Sequence, residues 1–335
     1  MMDYETFKQV ITEQILNYMS GGFKNCTAEI FPVLKVNQKL DALGLFSSMK
    51  ESRQFKDRMP LIYVNHIYEE YKRNGDLKKT LEMAALELRE AYREKAESKG
   101  CGLLENAKDK LVVQLINTEQ NKELLKTLPH RPFQDLSIVY RLVAEIGPKA
   151  IASSLVNKNV AKRLGMKESD LYEVAIINTK RLFPPVIKTM NEVLWDIAGD
   201  VMPADMAGTS LEENISGNMM YVISNEQQIN GAVSMLYEEE LHTLAEKLGT
   251  NLYLMPSSIH EAIAVPADIG DANELAEMVK DINMSAVCLE ERLSNQVYYY
   301  DKETRELTLA TDTLNKRLDQ IVAEPAVLYG TKQSR

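Results

Sequence analysis

The chain has 335 residues, of which 45% are apolar and 26% charged, with 39 Lys and Arg against 49 Asp and Glu for a net charge of −10. That composition excludes a disordered chain, and at roughly 100–200 residues per domain the length fits two or three folded units. Nucleic-acid binding needs concentrated positive charge. Here the basic residues fall in short pairs, Lys72–Arg73, Lys78–Lys79 and Lys180–Arg181, each diluted by acids, which argues against a nucleic-acid partner.

Cys26, Cys101 and Cys288 are widely separated and match no zinc or redox spacing, so reduced thiols in a cytoplasmic protein are expected. Met1 to Gln9 carries Asp3, Glu5 and Lys8 and does not resemble a signal peptide. No apolar run approaches the roughly 20 residues that a membrane helix needs. The expectation is a soluble, cytoplasmic chain with no membrane association.

In chain order, Phe7, Val10, Ile11, Ile15 and Leu16 predict a helix over 3–19, stopped by Gly21–Gly22. Ala28, Ile30, Leu34 and Val36 share one parity and predict a strand. A turn at Asn37–Lys39 would return it through Leu43 to Phe46, and Leu61 to Val64 reads as a third strand. Asp76 is placed to cap a helix with the stripe Leu77, Leu81, Ala84, Leu88 and Tyr92. Residues 1–100 therefore form an N-terminal helix, sheet and helix region.

A central region over 101–200 opens with the strand Leu111 to Ile116 and a short helix from Asn121 to Leu128. It continues through a proline-stiffened loop, Pro129–His130–Arg131–Pro132, and a strand in which Leu136, Ile138, Tyr140 and Leu142 alternate. Helices are expected around 151–163 and 168–182, the second ended by Pro184–Pro185. Gly199, Pro203, Gly208 and Gly217 punctuate a linker, taken as 201–218.

A C-terminal region over 219–310 begins with the strand Met219 to Ser224. A helix carrying Val233, Leu236, Leu241, Leu244 and Leu248 follows, with Gly249 placed to stop it. Strands Leu252 to Met255 and Ile263 to Val265 flank the segment Pro256 to Glu261. Asp271 to Ile282 is helical, and Val297 to Tyr300 with Leu307 to Leu309 fits a hairpin. Residues 311–335 form a terminal helix or tail. Most strand pairs are joined by short turns instead of uniform crossover helices, which predicts an α+β fold of small antiparallel or mixed sheets packed against helices.

The segments Leu111–Asn117, Asn121–Leu125, Pro129–Asp135, Leu254–Glu261 and Leu293–Asp301, with Phe7–Val10 and Tyr63–Tyr71, resemble a bacterial family classified only as a domain of unknown function. That family is common in anaerobic gut bacteria, and the resemblance spans about residues 3–310. It implies no activity, substrate or catalytic residue.

The candidate binding residues are Asn117, His130, Arg131, Asp135, Ser258, His260 and Glu261. Arg131, held on a stiff loop, could clamp a carboxylate or phosphate, or simply pair with Asp135 or another nearby acid while His130 caps a helix. Ser258 and His260 share a face if extended, yet the nucleophile-elbow glycines are missing and a turn role for the serines explains them better. Four histidines with no short-range pairing give no metal template. Glu238–Glu240 reads as a solvated helix face, and Tyr298 and Tyr300 as residues packed on one side of a sheet. No Gly-rich phosphate loop is present, and no metal or cofactor is expected. The reading is a non-catalytic binding or interaction module acting on a protein or small-molecule partner. The alternative is a hydrolase built from the His130 loop and the Ser257–Glu261 turn, which requires His130 or Arg131 to reach His260 or Glu261.

Overall fold

The first helix exists because a cap and an apolar stripe coincide. α1 (Tyr4–Gln14) begins where the Asp3 carboxylate accepts the Thr6 N–H at 2.8 Å, and it buries Phe7 and Ile11. The computed structural model describes residues 1–19, 21–23, 25–47, 59–97, 106–147, 151–198 and 220–311. The expected linker at 201–218, the Gly100–Gly102 break and the chain from 312 onward lie outside these residues. Two compact units divide the chain, residues 1–105 and 106–335.

In the first unit, β1 (Cys26–Lys35) and β2 (Gln38–Ser47) pair antiparallel from Cys26↔Ser47 to Lys35↔Gln38. The turn falls at Val36–Asn37, slightly before the expected place, because Asn37 accepts the left-handed backbone the turn needs, with φ 60°. β3 (Ile62–Tyr63) is only two residues long. The strand expected over 61–64 gives way at Val64 to α2 (Val64–Asn74), where Val64, Ile67 and Tyr71 recur at helical spacing and are buried. α3 (Leu77–Glu97) follows, and the Asp76 carboxylate accepts the Lys79 N–H at 3.0 Å, as expected. Phe7, Ile11, Leu43, Leu45, Tyr71, Leu81 and Leu88 form the core between helices and sheet.

The second unit contains two sheets, and every strand pairing in them is antiparallel. In the smaller one, β6 (Leu136–Ile146) lies between β4 (Leu111–Asn117) and β5 (His130–Phe133), and its far end pairs with β7 (Ile151–Leu155). The short helix α4 (Lys122–Leu125) joins β4 to β5. The segment expected as the loop Pro129 to Pro132 is therefore largely strand. β5 pairs with β6 alone, and such an edge is where proline's missing N–H removes no ladder bond. The helix expected over 151–163 starts late, as α5 (Lys158–Leu164), since the Asn157 side chain caps Val160 N–H at 2.9 Å and leaves 151–155 to the sheet.

α6 (Glu168–Leu182) packs along β4 and closes its outer edge. The Thr179 hydroxyl accepts the Val113 N–H at 3.0 Å, and the Asn178 amide donates to Leu111 O at 3.1 Å. Pro184–Pro185 ends the helix but also opens β8 (Pro185–Thr189), followed by α7 (Met190–Ala198); neither is visible in the apolar spacing.

The larger sheet runs β13-β12-β10-β11-β9-β8. Its strands are β9 (Tyr221–Asn225), β10 (Leu252–Met255), β11 (Ala262–Pro266), β12 (Tyr298–Asp301) and β13 (Glu306–Leu309). The single helix expected around Val233 to Leu248 is split into a 3-10 segment, Gly231–Leu236, and α8 (Glu238–Leu248). Gly249 ends α8 with φ 72°, a backbone that a side chain would strain. α9 (Ala272–Ala286) is capped by Asp271 and runs four residues past the expected end at Ile282. The fold is α+β.

Candidate functional site

A cleft of about 260 Å3 opens where elements of the two sheets of the second unit meet. Its floor is apolar, with Phe133, Ile138, Leu236, Leu241 and Leu307 among its lining, and Arg131, Arg305, Glu238, Tyr172 and Tyr300 supply the polar groups. A mostly apolar concavity with a few convergent polar groups is the usual form of a small-ligand site.

Its charged groups repeat one arrangement twice. On one side Arg131 donates from Nε and Nη2 to both oxygens of Glu168, at 3.1 and 3.3 Å, and its guanidinium lies 3.8 Å from the centre of the Tyr172 ring. Glu168 also accepts the buried Tyr140 hydroxyl. On the other side Glu238 accepts from Arg305 Nε and from the buried Tyr300 hydroxyl at 3.1 Å. Each glutamate is the first residue of a helix, α6 or α8, where the free backbone N–H groups favour a carboxylate. The hydrogen bond to Glu168 holds Arg131 above the ordinary arginine range. Burial, then the bond to its glutamate, raises the Tyr140 and Tyr300 hydroxyls, so both stay protonated donors.

These bonds leave functional groups over. Arg131 Nη1 and the second oxygen of Glu238 take part in no hydrogen bond or ion pair among the described residues, and Arg305, bonded to Glu238 and interacting with the Tyr300 hydroxyl, keeps terminal N–H groups to spare. The cleft can therefore offer donors to an anion and an acceptor to a cation, above an apolar floor.

Of the seven candidate binding residues read from sequence, Arg131 alone is among the lining of this cleft. Beside it, His130 Nδ1 is bonded to Leu128 O at 3.1 Å. Asn117 and Asp135 meet a different partner, the Leu293–Tyr298 segment. Asn117, buried, donates to Leu293 O at 3.0 Å and accepts Gln120 N–H at 2.8 Å. Asp135 accepts from Ser294 Oγ at 2.6 Å and from the Tyr298 hydroxyl, which burial and then this carboxylate hold well above the ordinary tyrosine range. Those contacts knit the chain together at distant points in sequence, and they leave Tyr298 and Tyr300 buried on one face of β12.

Ser258 is buried, and its oxygen accepts the His260 backbone N–H at 3.1 Å. His260 Nδ1 accepts the Asn230 backbone N–H at 3.3 Å, and Nε2 lies 3.5 Å from Glu291. Glu261 is half-buried with no partner among the described residues. No hydrogen bond or ion pair joins His130 or Arg131 to His260 or Glu261 among the described residues.

A second polar system runs behind the sheets. Arg141 donates from Nε to Ser153 Oγ at 2.8 Å, from Nη2 to Ser153 O at 3.0 Å, and from Nη1 to Gln114 Oε1 at 3.0 Å. Gln114 Nε2 donates to Asn230 Oδ1 at 3.0 Å, which leads on to His260. Gly231 is required beside it: a Cβ there would sit against Ser224 Oγ, 2.5 Å from His260 O and 2.8 Å from Asn225 N.

Sequence reasoning missed Arg305, Glu168, Tyr172, Arg141, Gln114 and Asn230, and it placed Glu238 on a solvated face. Glu239 fits that description, with a side chain 80% exposed. A usable signal for Glu238 and Glu168 was their position at helix starts, where a carboxylate has a local reason to be ordered.

Among the described residues no cluster of His, Cys, Asp or Glu could hold a metal ion, and no helix is long and apolar enough to cross a membrane. No curated protein and no solved structure matches the chain. Residues 4–302 match the model of a family of unknown function, DUF5688, and the chain belongs to that family.

Proposed function

We propose that the chain is a cytoplasmic, non-catalytic binding module whose cleft takes up an apolar or aromatic zwitterion, a free amino acid or the end of a short peptide. The carrying observation is the coexistence, in one concavity, of free guanidinium N–H groups, a free carboxylate oxygen and an apolar floor. The ligand carboxylate would take the arginine donors, its ammonium the second oxygen of Glu238, and its side chain the surface of Phe133, Ile138 and Leu241. Both arginines are already fixed by glutamates, so little ordering entropy is lost on binding.

The hydrolase alternative draws less support. Ser258 and His260 are engaged with backbone groups, and Nδ1 of His260 has no lone pair left for a general base.

Titrating the full chain with phenylalanine, its amide and its N-acetyl derivative, followed by calorimetry or NMR, tests the reading. Saturable binding of the zwitterion, weakened about tenfold or more when either end is blocked and by Arg131→Ala or Arg305→Ala, is expected. Absence of saturation for all three compounds, and for Phe-containing dipeptides, up to about 10 mM would remove it.

A further inference from the structure

Two strand edges bound the cleft. β5 of the smaller sheet pairs with β6 alone, and β13 of the larger sheet pairs with β12 alone. Arg131, Pro132 and Phe133 of β5 are among the lining, as are Leu307 of β13 and Arg305 just before that strand.

The register shows which main-chain groups each edge leaves over. Along an antiparallel pair, alternate residues turn both N–H and C=O toward the partner strand or away from it. The two-residue turn Gln134–Asp135 makes Phe133↔Leu136 a bonded pair and Arg131↔Ile138 the next, so His130 and Pro132 face outward. The far side of β6 agrees. The Val113 N–H leaves its ladder for Thr179, so Val113↔Tyr140 is an unbonded pair, and the even-numbered residues of β6 serve β5. On β13 the Leu307 carbonyl turns out to Gln134 Nε2 at 3.2 Å, and the Ala310 N–H bonds Val297 O at 2.8 Å, which leaves Leu307 and Leu309 outward. Apart from that bond to Gln134, the outward main-chain groups of His130, Pro132, Leu307 and Leu309 take part in no hydrogen bond among the described residues. One glutamine side chain from the β5–β6 turn thus reaches β13, so the two edges lie near each other at that end.

Unpaired strand edges beside a ligand cleft fit one class of ligand. An extended polypeptide offers donors and acceptors on both sides, repeating about every 3.3 Å per residue as the strands do. A free amino acid has no such series of groups to offer.

We propose that the ligand is a peptide in extended conformation, laid along β5 and β13 as an added strand, with its C-terminal carboxylate on Arg131 and Arg305. Such a ligand presupposes the binding role proposed above, and it is the peptide end, not the free amino acid, among the ligands named there. Two arginines with spare N–H groups favour the carboxylate end, and the second oxygen of Glu238 then accepts a peptide N–H.

Calorimetry on the full chain would compare phenylalanine, N-acetylphenylalanine, acetyl-Ala-Val-Ala-Phe, and that tetrapeptide N-methylated at Val or at the following Ala. The tetrapeptide is expected to bind about tenfold or more tightly than N-acetylphenylalanine, because main-chain bonds add to those of the carboxylate. Either methyl group should remove most of that gain while leaving the ring and the carboxylate intact. The His130 and Leu309 amide hydrogens should exchange more slowly with the tetrapeptide bound and be unchanged by phenylalanine. Equal affinity for the tetrapeptide and N-acetylphenylalanine, indifference to both methyl groups, or unprotected amides under bound peptide would each overturn the added strand. Those outcomes leave any saturable binding of phenylalanine standing, whereas binding of none of the probes would overturn the cleft's role as well.

Discussion

Arg141 and Glu291 stand at opposite ends of one hydrogen-bond chain in which every donor points toward the carboxylate. It passes from Arg141 Nη1 to Gln114, from Gln114 Nε2 to Asn230, and from the Asn230 backbone to His260 Nδ1; His260 Nε2 faces Glu291 at 3.5 Å. Because Nδ1 accepts a backbone N–H, which can only donate, the proton of the neutral ring sits on Nε2 and faces Glu291. Bonds aligned this way polarise one another.

Cutting the chain at its middle should cost more than one bond. Gln114→Leu leaves both Arg141 Nη1 and Asn230 Oδ1 without a partner, and removing one partner of a buried polar group costs about 1–3 kcal/mol. Urea unfolding of the variant should show a loss of about 2–4 kcal/mol with an unchanged denaturant slope. A loss below about 0.5 kcal/mol would mean that water replaces the glutamine freely.

Gly231→Ala probes the same region sterically. Two of the three atoms that the new Cβ would meet, His260 O and Asn225 N, belong to the backbone and cannot swing aside. A destabilisation of about 1–3 kcal/mol is expected, the range of an overpacked core. The neighbouring Asn230 crosspeak in an amide NMR spectrum should shift, since its N–H bond to His260 is the contact displaced.

Tyr298→Phe tests the contact between Asp135 and the Leu293–Tyr298 segment. Loss of the hydroxyl should cost about 1–3 kcal/mol, because the carboxylate it served loses a buried donor. Ser294→Ala, which removes a second donor at 2.6 Å, should cost a similar amount, and the double variant should depart from the sum because the two hydroxyls bond the two oxygens of one carboxylate.

Alkaline pH should unfold the chain cooperatively. Burial raises the hydroxyls of Tyr140, Tyr237 and Tyr298, so the native state keeps their protons after the unfolded chain has begun to lose them. Below about pH 10 both states are neutral at these groups, and they add no pH dependence. Above it the unfolded state binds fewer protons, and stability falls with rising pH by up to about 1.4 kcal/mol per pH unit for each tyrosine. Phenolate absorbance should therefore rise in step with loss of circular dichroism. Titration of these tyrosines in a chain that stays folded would contradict their burial.

Much of the fold is legible because its elements obey local rules. The β1–β2 hairpin, α3 behind Asp76, β10 with β11, and the β12–β13 hairpin all follow from alternation, caps and turn residues. Errors arose where two signals competed: Pro132 suggested a loop although an edge strand tolerates it, and Pro184–Pro185 ended a helix while also beginning a strand. The cleft was far less legible. Arg131 and Arg305 are separated by more than 170 positions, and nothing local to either announces the other. The same holds for Arg141, whose neighbours in sequence are ordinary strand residues and which is linked to Asn230, 89 positions on, only through Gln114.

The side chains of Asn178 and Thr179 along β4 bear on how the protein behaves in a crowded solution. A strand rim with bare amide and carbonyl groups invites a second molecule to add a strand and start a growing stack. Here a helix from the same chain answers Val113 and Leu111 directly, and β4 is buried along its whole length, so this part of the rim is closed to a second molecule. Replacing Thr179 and Asn178 would strip those two backbone groups of their partners, and any opening of α6 would then leave a strand free to recruit another chain.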